Sequence, residues 1–482
     1  MRTLFRGLRN FFCALLVLAA GSLFSSGCQQ GGGGADGALF QPSSEESRGE
    51  ARLSVFLQVK EPDGPLLWMK IKNLEVRSGT NWLPMRAARQ ELQSQEIAAS
   101  GQIFAGRGGV PAGRYQAMRF TVAEGALERD GKRIFLALDN PVVEIDFPAE
   151  LTLAKEDSPS LFLTWDTSQS LQGMALLNPK MTVATQSIPL VSDLAYVSCP
   201  EQDTIYIIRT DRNMVCGSIG ISGKPGSIIA NPAQNRLFVL AQQEATVKVL
   251  ELTANRQIDQ IRVPLSAKPT YMTVSPDGKW AYLLDEMGNS LLRLNLQTGV
   301  LGGQARIGSR PKYILYMEEQ NLLAVSSAYS QKIFLLDPVS LAIVRTIDTG
   351  GTPDGLFARD NYLYVAESSS NSVSVFELPG GRSKGRFNVG SKPRRFAFSN
   401  NHIYIANYGG GSVSVFRPGQ LNISRDVRVG GMPFEMDVSP ARQWLYVCDV
   451  RSGGVTVIDL SLNKVVGRIE LGAVPDTLAV IN

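Results

Sequence analysis

The sequence predicts an all-β fold: an antiparallel β-sandwich followed by a seven-bladed β-propeller. Three observations carry that prediction. Proline-centred turns recur at Pro225, Pro269, Pro311, Pro353, Pro393, Pro433 and Pro475, at spacings of 44, 42, 42, 40, 40 and 42 residues. Each proline leads into a short apolar strand, and all but the last are followed by three more strand-like runs. A period of ~40–50 residues holding four short strands marks a propeller, whose units bury their faces only against neighbours. The third observation is how the array ends. After Pro475 only one strand remains, Leu478-Ala479-Val480-Ile481, while residues 194–221 supply three: Leu194 to Val197, Ile205 to Ile208 and Met214 to Ser218. One plus three completes a blade, so the C-terminal strand is expected to pair with N-terminal propeller strands and close a ring of seven. Closure leaves no long open edge.

One repeat shows the grammar. Pro393 opens Arg394-Arg395-Phe396-Ala397-Phe398, and a turn through Ser399 to Asn401 leads to Ile403-Tyr404-Ile405-Ala406-Asn407. Tyr408 to Gly411 turns into Ser412-Val413-Ser414-Val415-Phe416, and a further turn precedes Asp426-Val427-Arg428-Val429. Alternating β-branched and aromatic residues bounded by Gly, Asn and Pro favour strands joined by tight turns. Gly351-Thr352-Pro353 with Tyr364-Val365-Ala366-Glu367, and Tyr404-Ile405-Ala406-Asn407, resemble the bacterial YVTN-type propeller repeat. The resemblance covers about 194–482 and implies the fold and a role in ligand or partner binding.

The N-terminus predicts the compartment. Arg2, Arg6 and Arg9 precede an apolar run from Phe11 to Phe24, as in a signal peptide over 1–27. Ser25-Ser26-Gly27-Cys28 resembles the lipobox of bacterial lipoproteins, which implies acylation at Cys28 and a lipid-anchored place in the cell envelope. Gln29 after the cysteine resembles lipoproteins sent to the outer membrane. Residues 28–50 are rich in Gly, Ser, Gln and Glu and read as a flexible tether.

Residues 51–189 alternate strand-like runs with Gly and Pro turns, which predicts the sandwich, and 190–482 is assigned to the propeller. Residues 86–102 are more polar and read as a loop or short helix. The Pro111-Ala112-Gly113-Arg114-Tyr115 segment, with Leu163 to Asp166 and Asn178 to Val183, resembles domain of unknown function 4382. That resemblance covers roughly 52–186 and implies a secreted module, acting as spacer or second contact.

Composition narrows the chemistry. With Cys13 in the signal and Cys28 at the lipid site, Cys199, Cys216 and Cys448 remain, and buried free thiols are expected. His402 is the single histidine, placed at a turn, so a site built on two histidines is excluded. The Gly381-Arg382-Ser383-Lys384-Gly385 match lies between strands, where a nucleophile elbow needs a strand-to-helix turn. The Gly32 to Gly37 match falls in the tether, with no strand or helix to cradle a phosphate. Loss of the signal arginines takes the formal charge from +4 to +1, which with the compartment argues against nucleic acid.

The remaining candidates lie on one side of the ring. Loops leading into the first strands carry Lys224, Lys268, Arg310 and Lys392, with Lys312, Arg394 and Arg395 just beyond. Antiparallel blades put these loops beside the turns after the second strands, which carry Asp285, Glu367, Asn407 and Asp449. The expectation is a mixed polar mouth for an anionic small molecule, a glycan or an envelope protein partner. The plainer reading of the same residues is balanced, solvated surface. A second class is a divalent-cation-dependent enzyme of the lactonase or sugar-hydrolase propeller type. No cofactor is required by the binding reading, whereas this one calls for calcium on Asp354, Glu435, Asp437 and Asp476. Asp437 stands where the other repeats have Ile229, Thr273, Leu315, Phe357, Ala397 and Ala479. The balance favours a binding or scaffolding protein over an enzyme.

Overall fold

A computed structural model describes residues 50–186 and 193–481. The readings placed on residues 1–49, including Cys28, lie outside the described residues.

Seven four-stranded antiparallel sheets follow one another from Leu194 to Ile481 among the described residues. Six of them each take a first strand that begins at a repeat proline, from Pro225–Asn231 to Pro433–Ser439. The remaining sheet is composite. Leu478–Ile481 pairs antiparallel with Leu194–Cys199, with Leu194 opposite Ile481 and Val197 opposite Leu478. Thr204–Arg209 and Met214–Gly220 complete it. Consecutive first strands touch one another, and Leu478–Ile481 touches both Pro433–Ser439 and Pro225–Asn231.

Sheets stacked face to face explain the sequence of the middle strands. In six sheets the second strand opens on a half-buried residue and buries all the others, as in Arg236–Ala241 and Trp444–Asp449. A strand covered on both faces needs a continuous apolar run, whereas one-sided burial gives alternation. Fourth strands lie outermost and are largely exposed, as in Arg256–Arg262 and Arg382–Asn388. Met214–Gly220 departs from that rule, with Val215, Cys216, Gly217 and Ser218 all buried.

The N-terminal region explains the departure. Its ten-stranded sheet centres on Ala51–Val59, parallel to Ser160–Asp166 and antiparallel to Ile103–Val110. Lys180–Thr185 at one end of the sheet touches Val142–Leu153 near the other, and Leu53, Met69, Tyr115 and Trp165 share one apolar cluster. The sheet therefore curls around its own core. Within 86–102, Glu91–Gln93 is a strand and Ser94–Ser100 a helix ended by Gly101 at φ 75°.

This region is a wall built onto the composite sheet. Phe56 and Phe104 sit in one apolar cluster with Val197, Tyr206, Val215 and Leu471. The Phe56 ring lies edge-on to Phe104 at 5.6 Å and to Tyr206 at 5.9 Å. Gly472 has no substitute here, because a Cβ would stand 2.1 Å from the Phe104 ring. The polar groups at the junction are paired, as burial requires. Arg107 donates to the Tyr206 hydroxyl at 2.8 Å, and Ser54 meets the same hydroxyl at 2.9 Å. Gln102 binds both backbone groups of Val215, accepting at 3.1 Å and donating at 3.3 Å. Ser160 and Ser218 share a bond of 2.7 Å.

Phe104→Ala is expected to cost ~3–5 kcal/mol, the usual penalty for emptying a buried aromatic site. Calorimetry should show one transition shifted to lower temperature. Two separated transitions would show that wall and ring melt independently.

Candidate functional site

The first strands bring a ring of side chains to the centre. Two residues after each repeat proline stand Tyr271, Tyr313, Gly355, Arg395 and Glu435, with Ser227 and Thr477 completing the layer. Arg395 is 4 % exposed and lies between two acids. Its Nε donates to Glu435 Oε2 at 3.2 Å and its Nη1 to Asp354 Oδ1. Gly355 lets the neighbouring strand come close, since a Cβ there would meet the Arg394 backbone carbonyl at 1.9 Å. The guanidinium also lies 4.7 Å from the Tyr313 ring, 4.8 Å from Phe434 and 5.4 Å from Tyr271. Tyr271 closes the set by donating to Glu435 Oε2 at 3.3 Å.

Burial sets the electrostatics. It pushes the Glu435 carboxyl up to about 7, with Arg395 opposing the rise and Asp476 adding to it. Burial likewise moves Asp476 up to about 6 against Arg395. The Tyr313 hydroxyl is pushed up to about 12 by burial and by Glu435. For Arg395 burial opposes the charge, but Asp354 and Glu435 outweigh it and raise the group above its ordinary value.

The four acids considered for calcium have separate roles. Asp354 and Glu435 both hold Arg395, a cation supplied by the chain itself. Asp437 is a backbone clasp: Oδ2 accepts from Val480 N–H and Oδ1 from Val438 N–H, each at 2.8 Å. Burial pushes its carboxyl up to about 6, with those two N–H groups opposing. Asp476 is half-buried beside Thr477, and its own N–H donates to the Ser198 carbonyl at 2.9 Å. No group of three or more His, Cys, Asp or Glu side chains among the described residues is placed to hold a metal ion.

Apart from the buried Arg395, the cations proposed for an anion divide into three kinds. Lys268, Arg310 and Lys312 converge on Glu286, at 2.5, 3.1 and 3.5 Å. Burial alone would raise the Glu286 carboxyl, and these cations hold it below its usual range instead. Lys224 pairs with Glu201 at 2.9 Å, and its backbone N–H donates to Asp203 at 2.8 Å. Lys392 is exposed, and its N–H donates to Asn371 at 2.9 Å. Lys224, Arg310 and Lys392 all take positive φ, of 59°, 57° and 51°.

Arg394 is the third kind. Its guanidinium lies 4.5 Å from the Tyr408 ring and 5.5 Å from Phe434, with its side chain 33 % exposed. Nε is 3.6 Å from Asp354 Oδ2 and makes no hydrogen bond. Successive strand residues face opposite ways, so Arg395 is engulfed and Arg394 stays at the mouth.

The polar residues ending the second strands do not face the mouth, which corrects that expectation. Asp285, Glu367, Asn407 and Asp449 are all at most 2 % exposed. Asp285 accepts from the N–H groups of Ala267, Lys268, Met287 and Gly288, at 2.8 to 3.2 Å. Asp449 does the same for Met432, Arg451 and Ser452, and Glu367 for Gly350. The three acids satisfy backbone donors stranded where a leading loop meets a tight turn, whereas Asn407 donates to the Ser412 and Ser414 hydroxyls. His402 sets a ring nitrogen 2.8 Å from the Asn400 carbonyl, and Cys199, Cys216 and Cys448 are buried free thiols. Phe434 and Tyr408, which flank Arg394, were not singled out in the sequence; both lie in one-residue register with the repeat prolines and turns.

Residues 185–482 match the family described as YNCE-like beta-propeller. No curated protein matches the chain. A periplasmic gluconolactonase of Pseudomonas aeruginosa superposes with a TM-score of 0.52 at 18 % identity, over 60 % of this chain and 99 % of its own. A putative 6-phosphogluconolactonase of Bacteroides fragilis gives 0.52 at 13 % identity, over 62 % of this chain and 100 % of its own. A functionally unknown protein of Desulfotomaculum acetoxidans gives 0.55 at 14 %, over 60 % and 99 %. At these identities the likeness concerns the fold alone.

The raised carboxyls make stability fall with pH. A folded Glu435 holds a proton up to about pH 7 that the unfolded chain releases near its ordinary value of 4.5. The linked stability is complete below about 4.5 and is lost as pH rises through about 7. The loss between pH 5 and 8 should be ~2 kcal/mol, and Asp437 and Asp476 act in the same direction. Urea melts across that range would show it, and Glu435→Gln should remove about half of the slope, the rest belonging to Asp437 and Asp476. A wild-type slope of the opposite sign would refute the protonated carboxyl.

Proposed function

The chain belongs to the YNCE-like β-propeller family, and from that premise we propose a binding protein whose mouth takes an anionic, hydroxyl-rich small molecule or glycan. The observation that carries this reading is Arg394, part-exposed and set against the Tyr408 and Phe434 rings, with its Nε turned inward toward Asp354. A guanidinium held on aromatic faces is preorganised to fork onto a carboxylate or phosphate, while the rings offer an apolar face to a sugar. Lys312 stands on the same side of the ring. Beneath them, Arg395 with its two acids forms a rigid floor.

On this reading the seven sheets are the blades of one closed ring, and the curled N-terminal sheet is a sandwich-like wall against it. Cys28 carries the lipid that holds the protein in the cell envelope, at the outer membrane. The gluconolactonase named among the fold relatives keeps a lactonase in view as the competing outcome. In favour of binding, the central acids hold Arg395 and Val480 rather than standing free around one point.

Titration calorimetry with 6-phosphogluconate, gluconate and glucuronate, in calcium and then in chelator, separates the two. Binding of at least one acid should survive chelation and weaken roughly tenfold or more in Arg394→Ala, as loss of a charge-assisted bond implies. Chelator-sensitive hydrolysis of gluconolactone would transfer the protein to the lactonase class. Failure of all three acids to bind would overturn the sugar-acid reading. Anchoring has its own test: the native chain should incorporate labelled palmitate and stay with membranes through a high-salt wash, and Cys28→Ser should do neither. A native chain recovered in the soluble fraction would refute the lipid anchor.

A further inference from the structure

Two neighbouring sheets carry bulky apolar residues at their outermost turns. The turn after the second strand has Met287 at its tip in one sheet and Tyr329 at the same place in the next. The corresponding residues elsewhere are Glu201, Gln243, Ser369, Gly409 and Arg451. Met287 is 69 % exposed and Tyr329 67 %. Leu265, 74 % exposed, joins them from the loop leading into the same sheet as Met287. That loop is tied to the Met287 turn by Asp285, which accepts from Ala267 N–H, and by the Lys268–Glu286 pair.

The same two sheets concentrate positive charge. Lys268, Arg310 and Lys312 surround the single carboxylate of Glu286. Arg310 also lies 4.8 Å from the Tyr329 ring. Arg306 ends the outer strand opposite Ser290, and Arg262 ends that of the preceding sheet opposite Thr246. Third strands begin on the turn side, so this register puts both arginines on the rim beside the apolar tips. Both are exposed.

We propose that this face docks on the surface of an anionic phospholipid membrane. Turn tips project outward, and isolated Leu, Met and Tyr side chains reach the boundary between headgroups and acyl chains. Tyrosine suits that depth because its ring is apolar and its hydroxyl stays wet. Surrounding lysines and arginines meet the negative surface potential, each strengthening attraction near the surface. The inference goes beyond the binding reading at the mouth and does not depend on acylation of Cys28. It does set the mouth toward the membrane, because Arg394 lies on the same side of the ring.

The test is a polarity-sensitive fluorophore at Met287→Cys, in the secreted chain carrying Cys28→Ser so that no acyl anchor contributes. Cys199, Cys216 and Cys448 are buried and should not label. A parallel label goes on Leu462→Cys, an apolar residue 56 % exposed at the other end of the strands. Vesicles containing phosphatidylglycerol should shift the emission at 287 to the blue and leave 462 unchanged. Arg262→Glu with Arg306→Glu should lower vesicle affinity by roughly fivefold for each cation lost, and pure phosphatidylcholine should bind far more weakly. No shift at 287, an equal shift at both sites, equal affinity for both vesicle types, or indifference to charge reversal would each overturn the proposal. If both labels stay dark on vesicles while an acidic protein binds at 287, the face serves a protein partner and not a membrane.

Discussion

Everything at the centre of the ring depends on a four-residue strand, Leu478–Ile481. It is held from both sides. Thr477 donates to the Gly226 carbonyl at 2.7 Å and accepts from Ile228 N–H at 3.2 Å, while Asp437 accepts from Val480 N–H. Ser198 receives the Thr477 N–H at 3.1 Å. These bonds join the first and last proline-led sheets through the composite one. Tyr271 and Glu435, separated by 164 residues, meet across the axis because of that junction. A terminal strand this short adds little apolar area, so directional bonds to buried partners must fix its register.

The wall of the N-terminal region acts on the same sheet from outside. Met214–Gly220 would be its outer strand, open along one edge, and Phe56, Phe104 and Ser160 cover it. An uncovered apolar outer strand is an aggregation hazard, and the other outer strands carry charged residues that reduce it, such as Arg345 and Asp348 or Lys464 and Arg468. The composite sheet is therefore stabilised twice, by the C-terminal strand within and by the wall without. This arrangement places the greatest reinforcement where the chain is discontinuous.

How much of this the sequence disclosed follows from the range of the interactions. Strand order within each sheet, and the composite sheet itself, depend on local patterning and on the proline period, both of which are readable. Asp437 was visible as an acid among uncharged equivalents, but its role was not, since an N–H of a strand 43 residues away explains it. The second-strand acids misled for a related reason. Asp285 and Asp449 occupy turn positions where acids are common on solvated surface, and only the loop folded over them shows their burial. The covered outer strand left no such signal, because Val215 and Cys216 have apolar equivalents such as Ile343 and Val344, or Val465 and Val466, in outer strands that lie open.

Adjacent identical residues give the sharpest case. Arg394 and Arg395 are indistinguishable by composition, yet strand alternation sends one to the mouth and the other into the core. A buried guanidinium is tolerable because two carboxylates and three aromatic rings replace its water. Removing either carboxylate would leave a buried charge under-compensated, at ~3–5 kcal/mol, although an apolar core of equal volume could be just as stable. Stability alone therefore does not explain the triad. Its distinguishing effect is to order Asp354, Phe434 and Tyr271 around one point directly beneath Arg394, so that the exposed guanidinium rests on a fixed base. Preorganisation of that kind lowers the entropy cost of capturing an anion, which ties the buried chemistry of the ring to the recognition proposed at its mouth.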